Sequence, residues 1–225
     1  VYMSMSYECL SLFHVLRFPE AQKLGEKAAG GLLATGLPTA RVFLHNQLYL
    51  GYTLEGQNKI EEAIALYESA YKTWLELNGP YDPSTLMTQA AMASTYRKLG
   101  RLEDAENHYS FCFAGRQRAV GLDNYVCVDL AISLAYVYRE LQRYEEATAL
   151  MELCLPLETL KRSENFERVC QIKHFQALLL YDQVPMAAEY ALFDLMDDSR
   201  DHLPPANREM MWVRVTLAGW LRKAG

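Results

Sequence analysis

The chain has 225 residues, 51% of them apolar and 22% charged, which is enough to bury a continuous core and excludes a disordered tail. A formal charge of −6, spread without any block of about five like charges, excludes a nucleic-acid footprint. No run of about 18 apolar residues is available to cross a membrane, and Glu8 stands where a basic-then-apolar signal would begin, so the expected address is cytoplasmic.

Ala21, Ala63, Ala105 and Ala147 recur at a spacing of 42 residues, a period that predicts stacked helical hairpins. The first unit, 1–39, is diverged: Cys9 and Leu12 stand where later units have alanine and tyrosine, and Leu16 stands at the turn. Its second helix opens at Pro19, which a first helical turn tolerates. The second unit, 40–83, is read with Gly56 as its turn glycine, which implies two extra residues before Ala63, and with Trp74 and Leu75 facing the next unit. The third unit, 84–124, is the cleanest. Ser84 is expected to cap its first helix, Gly100 to take the left-handed turn conformation, and Glu103 and Asp104 to meet the positive end of its second helix. The fourth, 125–162, repeats the third closely: Ala93, Tyr96, Arg97 and Arg101 return as Ala135, Tyr138, Arg139 and Arg143, with Gln142 in place of the glycine.

The fifth unit, 163–205, is one residue short in its turn and begins its second helix at Pro185. Asp194, Asp197, Asp198 and Asp201 are read as a solvated turn, with a metal or basic-partner site as the alternative. Residues 206–225 supply the first helix of a sixth unit that stops at its turn, Gly225. The chain is therefore expected to be an excerpt of a longer protein, or to use its final helix as a cap. Trp212, Val215 and Trp220 on that helix form an apolar face through which two copies would self-associate.

The order Ala93, Tyr96, Gly100, Ala105, Tyr109 resembles the signature of the tetratricopeptide repeat family. The longer step and the closing turn Gly79-Pro80-Tyr81-Asp82-Pro83 are similar to the kinesin light chain type of repeat. The resemblance implies an all-α, right-handed superhelical solenoid of about five hairpins plus a final helix, a single domain over 1–225. It also implies a non-catalytic protein–protein interaction scaffold that binds a peptide on the concave side, lined by first helices. On matching positions this groove comprises Phe43, Asn46, Gln47, Leu50, Met87, Ser94, Arg97, Lys98, Ile132, Tyr136, Arg139, His174 and Phe175. Arg97, Lys98 and Arg139 would clamp an acidic partner, Asn46 would hold its backbone, and the apolar positions would form the floor. The same subtype also ends large signalling ATPases, so an autoinhibitory, ligand-sensing domain of an NLR/STAND-type protein is the alternative.

No cofactor or metal is expected. The five cysteines lack Cys-x-x-Cys spacing and are read as buried small side chains, the histidines lack zinc spacing, and no phosphate-binding loop or nucleophile elbow occurs. Cys170 and His174, one turn apart, are the sole candidate for a nucleophilic pair, and catalysis is not the expectation.

Overall fold

The computed structural model describes residues 2–34, 40–122, 124–159, 166–204 and 206–224. Among them are eleven α-helices and no strand: α1 (Tyr2–His14), α2 (Phe18–Ala34), α3 (Ala40–Gly56), α4 (Ile60–Asn78), α5 (Pro83–Lys98), α6 (Leu102–Val120), α7 (Tyr125–Glu140), α8 (Tyr144–Thr159), α9 (Phe166–Tyr181), α10 (Pro185–Ser199) and α11 (Arg208–Ala224). The expected unit boundaries near residues 39, 162 and 205, and the final turn at Gly225, lie outside the described residues. The chain divides into two compact units, Val1–Arg116 and Gln117–Gly225.

Four turns between paired helices share one geometry, and they keep the 42-residue period without interruption. Leu16, Asn58, Gly100 and Gln142 all have positive φ, from 61° to 73°. In each turn the residue with positive φ donates its N–H back to a carbonyl three residues earlier, and the next residue donates to one five earlier. Arg101 N to Tyr96 O (2.9 Å) and Lys59 N to Leu54 O (2.9 Å) are examples. This double bond satisfies carbonyls that a helix end leaves orphaned. The turn residue of the second unit is therefore Asn58, not Gly56, and there is no insertion; asparagine tolerates the left-handed region better than most residues. Helix starts follow similarly local chemistry. Asp82, rather than the expected Ser84, caps α5, accepting from Ser84 N at 2.8 Å with Pro83 at the first helical position; Asn124 caps α7 through Val126 N at 2.9 Å.

Within each hairpin a small residue on the first helix meets a residue of the second. Cys9, Gly51, Ala93, Ala135 and Ala177 occupy one slot at the same 42-residue spacing, and all are buried. Ala21, Ala63, Ala105, Ala147 and Ala188 line the second helices, each fully buried. In the N-terminal unit Gly51 lies against the ring of Tyr67, where a Cβ would overlap the aromatic carbons. Trp74 is 1% exposed in a cluster with Leu44 and Ala70, edge-on to His45, so it belongs to its own hairpin, whereas Leu75 is exposed. All five cysteines are buried, as expected.

The core of the C-terminal unit joins α9, α10 and α11 through Cys170, Ala177, Leu192, Leu195, Met210, Val213, Leu217 and Trp220. Trp220 stacks on Tyr181 with ring centres 4.0 Å apart and is 7% exposed, so it is core and not part of an open face. Trp212 and Val215 are exposed. Among the described residues no helix is long and apolar enough to cross a membrane.

Candidate functional site

The first helices of the last two hairpins, α7 and α9, and the final helix α11 enclose a cleft of about 720 Å³ within the C-terminal unit. α7 contributes Asp129, Ile132 and Tyr136; α9 contributes Glu167, Arg168, Gln171, His174 and Leu178; α11 contributes Arg208, Glu209, Trp212 and Thr216. The spacings are helical: steps of three and four keep one stripe of each helix on the cleft. Ile132, Tyr136 and His174 were expected in the groove, and the structure brings them together here.

Behind the wall, Phe175 is fully buried and packs edge-on against Tyr136 at 4.5 Å, so it supports the floor without reaching it. His174 is 7% exposed and its Nε2 lies 3.0 Å from Thr216 Oγ1, joining α9 to α11. Burial holds its imidazole below the usual value, and the carboxylate of Glu209 opposes that only in part. Burial pushes the Asp129 carboxyl up, and Arg168, 3.5 Å away, draws it back. Cys170 is fully buried and its thiol is pushed up to about 12 by desolvation, so the spacing with His174 does not make a nucleophile.

In the N-terminal unit the expected positions separate into two groups. Asn46 is fully buried: its Nδ2 donates to Gly25 O at 2.9 Å, and its Oδ1 accepts from Ser6 Oγ at 2.9 Å. Leu50 is buried beside Gly25. The cause is the register: positions counted from Gly56 instead of Asn58 are two residues out, about 200° around a helix. Phe43, Gln47, Ser94 and Arg97 are half-buried, and Met87 and Lys98 are exposed.

Two members of the expected basic clamp, Lys98 and Arg139, are internally occupied. Lys98 Nζ meets Glu55 Oε2 at 2.8 Å, and Thr95 Oγ1 donates to the other oxygen of Glu55. Arg139 makes a two-pronged contact with Asp182, Nε to Oδ2 at 2.9 Å and a terminal nitrogen to Oδ1 at 3.2 Å. The two pairs fill the same slots of the repeat with opposite polarity, acid then base in one and base then acid in the other. They link successive hairpins within their own units.

Sequence reasoning did not select Glu167, Arg168, Arg208, Glu209 or Thr216, and it assigned Trp212 to self-association. One signal was available: Asp129, Gln171 and Trp212 fall one repeat apart when the short fifth turn is allowed for. Among the described residues no group of three His, Cys, Asp or Glu side chains is placed to hold a metal ion.

The Tetratricopeptide repeat family matches residues 44–118 and, through a second profile of the same description, residues 129–157. Two curated relatives come from Arabidopsis thaliana. Protein kinesin light chain-related 3 is 29% identical over 124 residues, 55% of this chain and 19% of that protein; kinesin light chain-related 2 is 38% identical over 85 residues, 37% of this chain and 13% of that protein. The chain thus spans under a fifth of either relative. Among solved structures, the kinesin light chain TPR-like repeats of Podospora anserina superpose with a TM-score of 0.75 at 18% identity, covering 88% of this chain and 94% of that one. A Rap protein complexed with Competence and Sporulation Factor gives 0.70 at 14% identity, covering 99% of this chain and 64% of that one. At these identities the likeness is one of fold.

Proposed function

Because this chain is a tetratricopeptide repeat protein with kinesin light chain-like repeats, a fold that generally serves protein–protein interaction without catalysis, we propose that it holds a segment of a protein partner in the cleft of α7, α9 and α11. The observation that carries this reading is the cleft itself. It is open, about 720 Å³, and lined by one stripe from each of three successive first helices, with Trp212 58% exposed at its border. A preformed groove of that size takes several side chains of an extended segment at little ordering cost to the protein. Ile132, Tyr136 and Leu178 offer apolar contact, and Gln171 offers hydrogen bonds beside the His174–Thr216 pair.

The partner is not required to be acidic, since Arg139 and Lys98 already carry carboxylates. The test is capture of partners by the wild-type chain beside an Ile132→Glu/Trp212→Ala variant and a Tyr190→Ser control on α10, all shown folded by circular dichroism. Partners lost from the groove variant alone support the reading. Partners kept by that variant and lost from the control place binding on the second helices and overturn it.

A further inference from the structure

The cleft carries more negative charge than its own cations neutralise. Arg168 is engaged: its Nε lies 3.5 Å from Asp129 Oδ1 and its guanidinium sits 5.1 Å over the ring of Tyr125. Glu167 forms no ion pair among the described residues. Glu209 is 8% exposed, yet among the described residues its carboxylate meets one partner, a terminal nitrogen of Arg208 at 3.4 Å, and Arg208 has a side chain 76% exposed. Among the described residues the one hydrogen bond to the Glu209 carboxylate is to its Oε1, and the residue lines the cleft, so the other oxygen is available to that space. A mostly buried carboxylate that opens onto the cleft and is met by one exposed cation favours a further cation. One turn along α11, on the same face, the exposed indole of Trp212 borders the same space.

We propose that this cleft recognises a lysine or arginine side chain of the partner segment, seating the cation against Glu209 and Glu167 and beside the indole of Trp212. The inference rests on the groove reading and adds the partner's chemistry to it. Carboxylate and indole act on the same group in complementary ways, the first by a charge-assisted hydrogen bond and the second through its negative ring face. Arg208 sets the polarity of the site: an exposed cation at 3.4 Å is a placeholder that a better-placed one displaces.

The test uses the whole chain and three acetylated, amidated peptides, Gly-Leu-Xaa-Leu-Gly with arginine, citrulline or glutamate at Xaa. Citrulline keeps the shape of arginine and removes its charge. The readout is the indole N–H resonance of Trp212, identified by its loss in Trp212→Phe. The arginine peptide is expected to shift that resonance, to bind about tenfold more tightly than the citrulline peptide, and to lose a similar factor in Glu209→Gln. Raising the salt concentration weakens the arginine peptide selectively, which reads the same contact without a substitution. Citrulline or glutamate peptides that bind as well as arginine overturn the inference and leave the groove reading standing. Absence of a Trp212 shift with every peptide also overturns it. If partner capture then survives the groove substitutions, the groove reading falls as well.

Discussion

Leu16, Asn58, Gly100 and Gln142 perform one task with four side chains, and their stabilities should differ accordingly. A non-glycine residue in the left-handed region costs about 1–2 kcal/mol, partly offset because glycine loses more freedom on folding. Gln142→Gly and Leu16→Gly should therefore each stabilise the protein by about 0.5–1 kcal/mol, and Gly100→Ala, where nothing crowds the added carbon, should cost about 1 kcal/mol through backbone strain alone. Urea midpoints measure all three. The histidines give a second expectation at this scale. Burial holds both His108 and His174 below the ordinary imidazole value of about 6.5. Below that value the unfolded chain binds protons that the folded chain refuses, so stability falls as pH drops from about 6.5 and levels off beneath the folded values. Around His108 the facing groups are Gln89, Tyr71, Tyr96, Glu68, Asp104 and Arg101, of which Tyr96 stacks on the ring and Gln89 Nε2 approaches Nδ1 at 3.1 Å. His108→Leu with His174→Leu should flatten the slope of urea midpoint against pH between 7.5 and 5.5, at some cost in absolute stability. Asp129, whose carboxyl is raised, contributes with the opposite sign at lower pH, gaining stability as it protonates.

At the scale of the element, the hairpin is defined by its small-residue slot. Gly51 fills it where the ring of Tyr67 occupies the space a Cβ would take, although the equivalent positions one repeat on are Ala93 and Tyr109. Gly51→Ala improves helix propensity yet should destabilise by about 1–3 kcal/mol, because the ring, 0% exposed, has no room to retreat; thermal melting decides the sign. Between hairpins, the Glu55–Lys98 and Arg139–Asp182 pairs predict that charge order is exchangeable within a slot. In Arg139→Asp/Asp182→Arg most of the coupling of the native pair should return, on the order of 1 kcal/mol by double-mutant cycle, whereas either single change loses it. The hairpins were legible in the sequence because their periodic alanines are tied to burial. The second turn was misread because Gly56 looks more like a turn residue than Asn58 does, although the 42-residue step back from Gly100 falls on Asn58; backbone geometry confirms that Gly56 ends the helix and Asn58 makes the turn. That two-residue error is what placed Asn46 and Leu50 in the groove.

At the scale of the whole molecule, the repeat made the fold class readable, and in the C-terminal unit a cleft is lined by α7, α9 and α11, helices the repeat places first in their units. Ile132, Tyr136 and His174, reached by counting along the period, line that cleft. Glu209 and Thr216 were not reached that way, because the short turn of the fifth hairpin and the diverged final helix break the count, and because the value of Glu209 lies in burial, which spacing does not encode; Arg168 lies on the unbroken period but outside the slots counted as inward. The expectation of an acidic partner came from arginines in one slot, without sight of the carboxylates that meet Arg139 and Lys98 from the neighbouring hairpins. Partner capture in the cleft requires α7, α9 and α11 together to present a receptive surface. Hydrogen exchange of the whole chain, with and without a partner identified by capture, tests that most directly. Added protection concentrated in α7, α9 and α11, with α8 and α10 unchanged, is the predicted result; protection confined to α8 and α10 would contradict it.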